Sequence, residues 1–347
     1  MLFRSVEMPL DLAFKCIADY ALYLKSMGSR SGTICLSGGE PLLVGLDYME
    51  SLLVKVAESR SRTGVPLHVN IQTNATLIDD QWCRCFSDHK VGIGLSVDGT
   101  PNLTDKHRIP RNPGLSVSGV VFEAASRLRT WNLPFGVLFV VTASSVGMET
   151  QILEYLQSLQ PESIAFTPCL DKGPVIAPTA YAEFVSAFFE AWVRLGHVDP
   201  EIRMFKYCRQ RITDSVQMPI PCEWGNDCPN SICVSADGQV WVCDVFMGRR
   251  EGHIGDIRRQ SLTDIVLSEP FGDFVRARSV LADKCRECEA FEVCRGGCPY
   301  RRDDGIDIFC EATLTAFHRM LGLVQSTISG IEGRQYQEVE QAGSADG

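Results

Sequence analysis

Long apolar runs are missing from this sequence, and so is an excess of positive charge. Even the longest purely apolar stretches, such as Val137–Val141, are short. A segment that spans a bilayer needs roughly 18 to 20 apolar residues. Lysine and arginine number 33 against 43 aspartates and glutamates, a net charge of −10, and an acidic surface repels nucleic-acid phosphates and anionic lipid. The composition therefore excludes a transmembrane helix and argues against nucleic acid and membrane as partners.

The first residues also lack the basic, apolar and small-residue succession of a secretory signal, so we expect a cytoplasmic protein. Disulfides are disfavoured in that reducing compartment. The sequence nevertheless holds 15 cysteines, and a dense set of cysteines there indicates metal ligation or catalysis rather than crosslinking.

What is present is a 347-residue chain, 45% hydrophobic and 22% charged, long enough for about two domains. Its first two thirds alternate between amphipathic and short apolar segments. Such alternation indicates a parallel sheet covered by helices, either open or curled toward a barrel. The predicted helices span 10–26, 45–59, 78–87, 115–131, 146–158 and 178–195, and the predicted strands span 33–37, 67–72, 91–96, 135–141 and 163–167.

The alternation stops near residue 217, and a cysteine-rich stretch follows. The Asp237-Gly238 pair between two apolar segments predicts a hairpin, and a helix is predicted near 261–277. The last residues, 335–347, are predicted to form a solvated tail. The expected domains are therefore 1–217 and 218–323, followed by 324–347 as a helix end and a disordered tail.

Eight cysteines between positions 222 and 310 suit two sites of four thiolates each, which hold either [4Fe–4S] clusters or structural zinc. Zinc ribbons usually pair two CxxC knuckles, and only one, Cys285 with Cys288, is present, so the spacing favours iron–sulfur. The eight residues are Cys222, Cys228, Cys243, Cys285, Cys288, Cys294, Cys298 and Cys310.

The other seven cysteines have no ligand spacing. Cys233 lies inside the first predicted hairpin strand and is expected to be a packed side chain. The rest are expected to be small buried hydrophobic residues; they are Cys16, Cys35, Cys83, Cys85, Cys169 and Cys208.

Polar and glycine residues follow three successive strands of the first unit. The sequence reads SGGEP at 37–41, QTN at 72–74 and SVDG at 96–99. Each segment alone is compatible with a tight turn, but the carboxyl ends of parallel strands meet at one edge, where barrel enzymes bind substrates. The three segments together predict a polar small-molecule site.

These segments and the late cysteines resemble those of a known family. The stretches SGGEPLLVGLDYMESL, IQTNATLIDDQW, GLSVDGTPNLTDKHR and VSADGQVWVCDVF, with the series CxxC, five residues, Cys, three residues, Cys, resemble radical S-adenosylmethionine enzymes with a SPASM-type auxiliary-cluster domain. Within them, the sequence is most similar to anaerobic sulfatase-maturating enzymes, from about Met8 to Leu323. The resemblance implies an α/β fold: a partial (β/α) half-barrel, missing its first strand, and a C-terminal cysteine-rich SPASM domain.

The resemblance also implies the cofactors and the residues that hold them. The first [4Fe–4S] auxiliary cluster falls on Cys222, Cys228, Cys243 and Cys298, and the second on Cys285, Cys288, Cys294 and Cys310. S-adenosylmethionine is expected to bind the loop formed by Gly38, Gly39, Glu40 and Pro41, with Ser96 on a neighbouring strand end. Gln72 and Asn74 are assigned to the same site, or they point toward substrate.

Asp244 follows Cys243 and matches the acid that these enzymes use to take a proton from the target residue. The implied reaction oxidises a cysteine or serine of a sulfatase to 3-oxoalanine (formylglycine), with a reducing partner such as flavodoxin or ferredoxin. A carboxylate beside a cluster places a proton acceptor next to an electron acceptor. Without the resemblance, a hairpin-end residue bonding to backbone is the simpler interpretation of Asp244.

The sequence departs from the family in one motif, the CxxxCxxC loop that holds the cluster for S-adenosylmethionine cleavage. Cys294 and Cys298 are the only pair with the spacing of the first two cysteines of this motif, and Arg301 occupies the position of the third cysteine. We therefore expect a chain that binds S-adenosylmethionine without cleaving it. A truncated gene model is the favoured cause of the missing motif, over a deliberately trimmed chain or a natural variant.

Two alternative functions stay open. One is a SPASM-type maturase that forms thioether or carbon–carbon crosslinks, and the other is a non-catalytic iron–sulfur or zinc protein. No histidine is assigned a function, and Arg108 is predicted to form a surface salt bridge.

Overall fold

The computed structural model describes residues 7–110, 114–170, 175–196, 200–213, 228–229 and 231–343, with side chains described as far as residue 327.

A six-stranded parallel sheet forms the centre of the first unit. Its strands follow one another in chain order, and every neighbouring pair is parallel. Each strand therefore ends at the same edge, which brings the three polar segments of the sequence side by side. The strands are β1 (Gly32–Leu36), β2 (Leu67–Thr73), β3 (Gly92–Val97), β4 (Phe135–Val141), β5 (Ser163–Pro168) and β6 (Glu201–Ile202).

Helices connect the strands, and local sequence signals set several of their ends. The Asp79 carboxylate accepts a hydrogen bond from the Trp82 amide at 2.9 Å and caps the helix that begins at the next residue. Gly64, with φ of +75°, ends another helix in the left-handed conformation. The helices are α1 (Leu10–Ser26), α2 (Leu46–Thr63), α3 (Asp80–His89), α4 (Pro101–His107), α5 (Val117–Thr130), α6 (Glu149–Ser158), α7 (Pro178–Arg194) and α8 (Arg203–Ile212).

The core lies between the helices and one face of the sheet. In β2 every second residue, beginning with Leu67, is buried, whereas His68 and Asn70 on the opposite face are exposed. Phe139 of β4 lies at the centre of an aromatic group, with its ring 5.5 Å from that of Phe166 and 5.9 Å from that of Phe188. Each such buried side chain contributes about 1.5–3 kcal/mol. On β1, β2 and β3 the opposite face carries small and polar residues.

The cysteine-rich unit is built on a small antiparallel sheet of β7 (Cys233–Val234), β8 (Gln239–Trp241) and β9 (His253–Asp256). Gly238, with φ of +84°, turns the chain between the first two strands, so the predicted hairpin is confirmed. The sheet packs through a second apolar cluster, including Val240 and Phe246, against Leu12 of α1.

The helix predicted near 261–277 is two helices. Ser261 caps the first, Leu262–Val266, through the Asp264 amide, and Pro270 occupies the first turn of the second, Glu269–Arg278. Short helices at Asp283–Arg286 and Phe291–Cys294 then lead to a two-stranded ribbon, Arg302–Asp303 with Ile306–Asp307.

The final helix runs from Cys310 to Gly343 and packs on α7 and α8. The expectation of a tail from residue 335 is wrong for the residues as far as Gly343, because glutamine, glutamate and alanine there are good helix formers. The remaining residues, 344–347, lie outside the described part. No helix in the described ranges is both long and apolar enough to cross a membrane.

Candidate active site

The Gly38–Pro41 loop after β1 presents bare backbone at the sheet edge. Gly38 and Gly39 are exposed, and a Cβ atom built on either would meet no atom within 4 Å. Gly38 has a φ of +134°, which favours glycine because side chains are strained there. A ligand can therefore approach the amide and carbonyl groups of this loop directly.

Glu40 fastens the same loop to the end of β2. Its Oε1 accepts hydrogen bonds from the Thr73 hydroxyl at 2.7 Å and the Leu42 amide at 3.1 Å, and its Oε2 accepts from the Asn74 amide at 2.8 Å. Most of the carboxylate's acceptor capacity is thus used within the protein. Glu40 holds the loop in shape, and at most one acceptor position remains for a ligand.

Gln72 and Ser96 come together across β2 and β3. The Gln72 Nε2 donates to Ser96 Oγ at 2.8 Å. The Gln72 side chain lies over Gly94, where a Cβ atom would fall 2.2 Å from Gln72 Oε1. Gln72 therefore reaches Ser96 because residue 94 has no side chain.

Asn74 was predicted to bind S-adenosylmethionine or to point toward substrate, but its side-chain oxygen stabilises a local turn. Its Oδ1 accepts from the amide and the hydroxyl of Thr76 at 2.9 and 2.6 Å. This is a local Asx turn. The side-chain oxygen of Asn74 is therefore occupied in shaping the loop after β2.

Asp98 and Arg108 add an ion pair at the end of β3. The Arg108 Nη2 lies 2.9 Å from Asp98 Oδ1, and the two side chains are 24% and 10% exposed. The salt bridge predicted for Arg108 is present, but the prediction that it lies on the surface is wrong. Both side chains are mostly buried, because α4 folds Arg108 back over the strand end.

Asp244 lies in the short helical turn Asp244–Phe246 that follows the β7–β8 hairpin. The Cys243 Sγ donates a 3.0 Å hydrogen bond to Asp244 Oδ1, and the carboxylate is exposed. The acid and the thiol are thus within direct reach of each other.

Electrostatic interactions divide the late cysteines into two groups. Burial, and then the charge of Cys298, raises the pKa of Cys228 to about 11. Burial, and then the charges of Cys285 and Cys288, raises the pKa of Cys310. The pKa of Cys294 is raised to about 11, mainly by burial, with a contribution from Cys310. The two groups are therefore Cys228 with Cys298, and Cys310 with Cys285, Cys288 and Cys294.

None of the described cysteines is in a disulfide bond, so no crosslink withholds the described candidate ligands. Within the described ranges, no three His, Cys, Asp or Glu side chains come together at the spacing of one metal ion. An iron–sulfur cube spreads its ligands over separate irons, so it requires a wider arrangement. Cys222 lies outside the described residues.

Asp307 braces the loop that holds both groups. Its buried carboxylate accepts from the Cys298 amide at 3.0 Å and the Phe309 amide at 2.9 Å, and it pairs with the Arg301 Nη2 at 2.7 Å. The turn at Gly297 brings that backbone so close that a Cβ atom would fall 2.4 Å from Asp307 Oδ2.

Arg302 supplies a positive charge that interacts with cysteines of both groups. It donates to the carbonyl oxygens of Gly296 at 2.9 Å and Gly297 at 3.0 Å, and also to that of Arg278. Burial lowers its pKa, and the charges of Cys298, Cys228 and Cys285 act in the opposite direction. The guanidinium thus offsets thiolate charge from both groups. Asp307 and Arg302 were not predicted from the sequence, where their one signal is an acidic and basic stretch between Cys298 and Cys310.

Comparison with known proteins agrees with this architecture. Residues 222–289 match the SPASM family, described as an iron-sulfur cluster-binding domain. The chain is 26% identical over 287 residues to a cysteine-type anaerobic sulfatase-maturating enzyme of Clostridium perfringens, covering 79% of this chain and 76% of the relative. It is 28% identical over 284 residues to the serine-type enzyme of Klebsiella aerogenes, covering 78% and 67%.

Among solved structures, native anSMEcpe with bound AdoMet and Kp18Cys peptide superposes with a TM-score of 0.83 at 22% identity, covering 95% of this chain and 94% of that one. The chain therefore shares the fold of that solved structure, and its residues 222–289 match the SPASM domain. Its relatives in sequence include anaerobic sulfatase-maturating enzymes of the cysteine type and of the serine type.

Proposed function

We propose that the chain is a sulfatase maturase, which oxidises a cysteine or serine of a sulfatase to formylglycine. The observation that carries the proposal is the position of Asp244. Its carboxylate is exposed and accepts a hydrogen bond from the thiol of Cys243, one of the proposed cluster ligands. In a solved structure of similar fold, native anSMEcpe has AdoMet and the Kp18Cys peptide bound.

The eight late cysteines are proposed to hold two [4Fe–4S] clusters, on Cys222, Cys228, Cys243 and Cys298, and on Cys285, Cys288, Cys294 and Cys310. The pairing of Cys228 with Cys298 and of Cys310 with the other three supports this division. The positive charge of Arg302, which interacts with cysteines of both groups, supports it further, because a cluster with four thiolates is anionic.

The edge of the sheet is proposed to bind S-adenosylmethionine through Gly38, Gly39 and Pro41, with Ser96 and Gln72 beside them. Glu40 and Asn74 shape that loop by the hydrogen bonds described above. When bound, the cofactors supply hydrogen-atom abstraction from the target carbon and an acceptor for the remaining electron.

Asp244 then has a defined task. Conversion of a thiol or alcohol to an aldehyde-level product removes one hydrogen atom from carbon, one proton from the heteroatom and one electron. Asp244 is proposed to take the proton, because its carboxylate is exposed and adjacent to the proposed ligand Cys243. The sequence of this chain has no CxxxCxxC motif, so the 347-residue polypeptide by itself is proposed to bind S-adenosylmethionine without cleaving it. A flavodoxin or ferredoxin is the proposed electron donor.

The test compares Asp244→Asn with Glu251→Gln, an exposed acid nearby, in a version that carries a CxxxCxxC loop upstream of residue 6. Asp244→Asn should lower the formylglycine yield from a sulfatase peptide by at least about 100-fold, while 5′-deoxyadenosine is still released from S-adenosylmethionine. Glu251→Gln should leave both products unchanged. An undiminished formylglycine yield in Asp244→Asn would remove Asp244 from its role, and a crosslinked peptide product would favour the other maturase class.

A metal analysis tests the cluster assignment in the 347-residue chain itself. Two clusters require about eight iron and eight sulfide per chain after anaerobic purification. One or two zinc ions and no sulfide would instead indicate a structural zinc protein.

A further inference from the structure

A surface groove runs between α1 and α2, and we call it the α1–α2 groove. Its volume is about 530 Å³, within the range of about 300–1,000 Å³ that is usual for ligand sites. Phe14 of α1 forms one wall. The other wall belongs to α2, where residues spaced three and four apart form a single stripe along the helix. The residues of this stripe are Asp47, Glu50, Ser51, Val54, Lys55 and Glu58.

The α2 wall is acidic and partly apolar. It carries the carboxylates of Asp47, Glu50 and Glu58 against a single ammonium group, that of Lys55. Lys55 Nζ lies 3.3 Å from Glu58 Oε2, so one charge of each sign is already paired. The Asp47 and Glu50 side chains are exposed and form no hydrogen bond or ion pair with any residue that the structure describes. The groove therefore holds uncompensated negative charge beside Val54, which is 50% exposed.

The Phe14 ring already holds a cation in the groove. Lys55 Nζ lies 5.7 Å from the centre of this half-buried ring. An ammonium or guanidinium group within about 6 Å of an aromatic face is attracted by the negative charge of that face. The ring, an exposed apolar side chain and two unpaired carboxylates are together suited to a polypeptide segment that carries basic and apolar residues.

The groove begins at the edge of the sheet where we propose that S-adenosylmethionine binds. One short turn separates α2 from the Gly38–Pro41 loop. The Tyr48 hydroxyl donates a 2.7 Å hydrogen bond to the Met8 carbonyl oxygen, which ties the start of α2 to the residues just before α1. Asp47 lies in the first turn of α2. The acidic end of the groove therefore adjoins the edge that would receive the target residue.

We propose that the α1–α2 groove docks a basic segment of the substrate protein, with an arginine or lysine side chain over Phe14 and beside Asp47 and Glu50. This inference rests on the proposed function, because it takes the sulfatase as the occupant. The position of the groove next to the edge that would receive the target residue favours the substrate as that occupant. Its negative charge disfavours an acidic partner, because like charges across an interface repel each other.

The experiment uses the 347-residue chain and a short fluorescein-labelled peptide of arginine, leucine and alanine. A second peptide has glutamine in place of every arginine. Fluorescence anisotropy should show that the basic peptide binds at least about tenfold more tightly than the glutamine peptide. Added salt should narrow this difference, because exposed charges are screened.

A charge-matched pair of variants locates the bound peptide. Asp47→Asn combined with Glu50→Gln should weaken binding of the basic peptide by about fivefold, the effect of two exposed ion pairs. Glu123→Gln combined with Glu154→Gln removes the same charge from exposed positions of α5 and α6. This control should bind the basic peptide within about twofold of the wild type, because distant surface charges are screened.

Lys55→Gln should act in the opposite direction. It removes the ammonium group that competes for the Phe14 ring, so the basic peptide should bind about threefold to fivefold more tightly. Lys25→Gln removes the same charge from the last turn of α1 and should change the affinity by less than about twofold. Phe14→Leu keeps the wall apolar and should weaken binding of the basic peptide by about threefold to fivefold, but not that of the glutamine peptide.

An unmodified sulfatase tests the identity of the occupant. Calorimetry measures its binding to the wild-type chain, and it should displace the labelled basic peptide. If the Asp47 and Glu50 double variant binds that peptide as tightly as its control on α5 and α6 does, the docking site is wrong and the proposed function stands. If the sulfatase binds but does not displace a peptide located in the groove, the substrate is the wrong occupant. If the sulfatase does not bind, the proposed substrate class fails and the docking of substrate fails with it.

Discussion

The Glu40 carboxylate accepts a 2.7 Å hydrogen bond from the Thr73 hydroxyl, and this bond joins the loop after β1 to the end of β2. With the Asn74 amide bonded to the second carboxylate oxygen, a single acid fixes the relative position of two strand ends. The glycine-rich backbone is therefore held ready at the place where we propose that S-adenosylmethionine binds.

Glu40→Gln should weaken S-adenosylmethionine binding. The amide removes the charge and presents a donor where one of the two oxygens accepted a hydrogen bond. Hydrogen bonds to a charged group contribute about 1.5–3 kcal/mol, so the dissociation constant measured by calorimetry should rise about tenfold or more. Glu58→Gln changes an acid that pairs with Lys55 on the surface of α2 and should have little effect. Equal affinities in the two variants would contradict the bracing role of Glu40.

Gly94→Ala should displace Gln72 from Ser96, because the new Cβ atom would lie 2.2 Å from Gln72 Oε1. Overpacking of this kind costs about 1–3 kcal/mol, which denaturant unfolding can measure. Gly322→Ala, where a Cβ atom would meet nothing within 4 Å, should be neutral or stabilising by up to about 1 kcal/mol. Adding Gln72→Ala to Gly94→Ala should recover part of the loss, and no recovery would point to another cause.

Asp307→Asn should lower both stability and cluster content. The change leaves the largely buried Arg301 guanidinium without its ionised partner, and removing one member of a buried pair costs about 3–5 kcal/mol. Iron and sulfide per chain should fall together with the free energy of unfolding. Asp303→Asn alters an exposed acid of the same ribbon and should retain the wild-type iron content. A normal iron content in Asp307→Asn would show that the clusters do not depend on this brace.

Acid should remove a stabilising contribution of Asp256. The Arg258 guanidinium bonded to Asp256 holds the pKa of that carboxyl well below its usual range. A pKa lower in the folded than in the unfolded state stabilises the protein above the unfolded value, near 3.9, and the contribution is lost as the pH falls from about 5 toward the folded value. Asp256→Asn should therefore have a lower melting temperature than the wild type at pH 7, and the gap should narrow progressively as the pH falls below about 4 toward the folded pKa. In an Arg258→Gln background the gap at pH 7 should be smaller; a gap that persists unchanged would assign the effect to another partner.

The parallel sheet could be predicted from the sequence, because apolar strands and amphipathic helices alternate over the first two thirds of the chain. The strand predicted at 135–141 is Phe135–Val141, and the helix predicted at 10–26 is Leu10–Ser26. The helix Arg203–Ile212 and the two-residue strand before it were missed. The helix is highly charged and the strand is too short to show alternation.

The site was harder to predict because residue type does not fix a side chain's partner. Glu40 was expected to face a ligand, yet two of its three partners lie 33 and 34 positions away in the chain. Cys35 was grouped with buried cysteines on composition, and that expectation is wrong, because Cys35 is exposed. The alternation of Thr33, Cys35 and Ser37 with Ile34 and Leu36 carried the information that it faces the open side of the sheet. Asp307 stands in an acidic run, and no local pattern distinguishes it from its neighbours.

The hydrogen bonds of Asp307 to the Cys298 and Phe309 amides are made by polypeptide alone. These hydrogen bonds can therefore form, and shape the ligand-bearing turn, before iron is bound. Protein synthesised under iron starvation should thus be rescued by later supply of iron and sulfide, without passing through an unfolded chain.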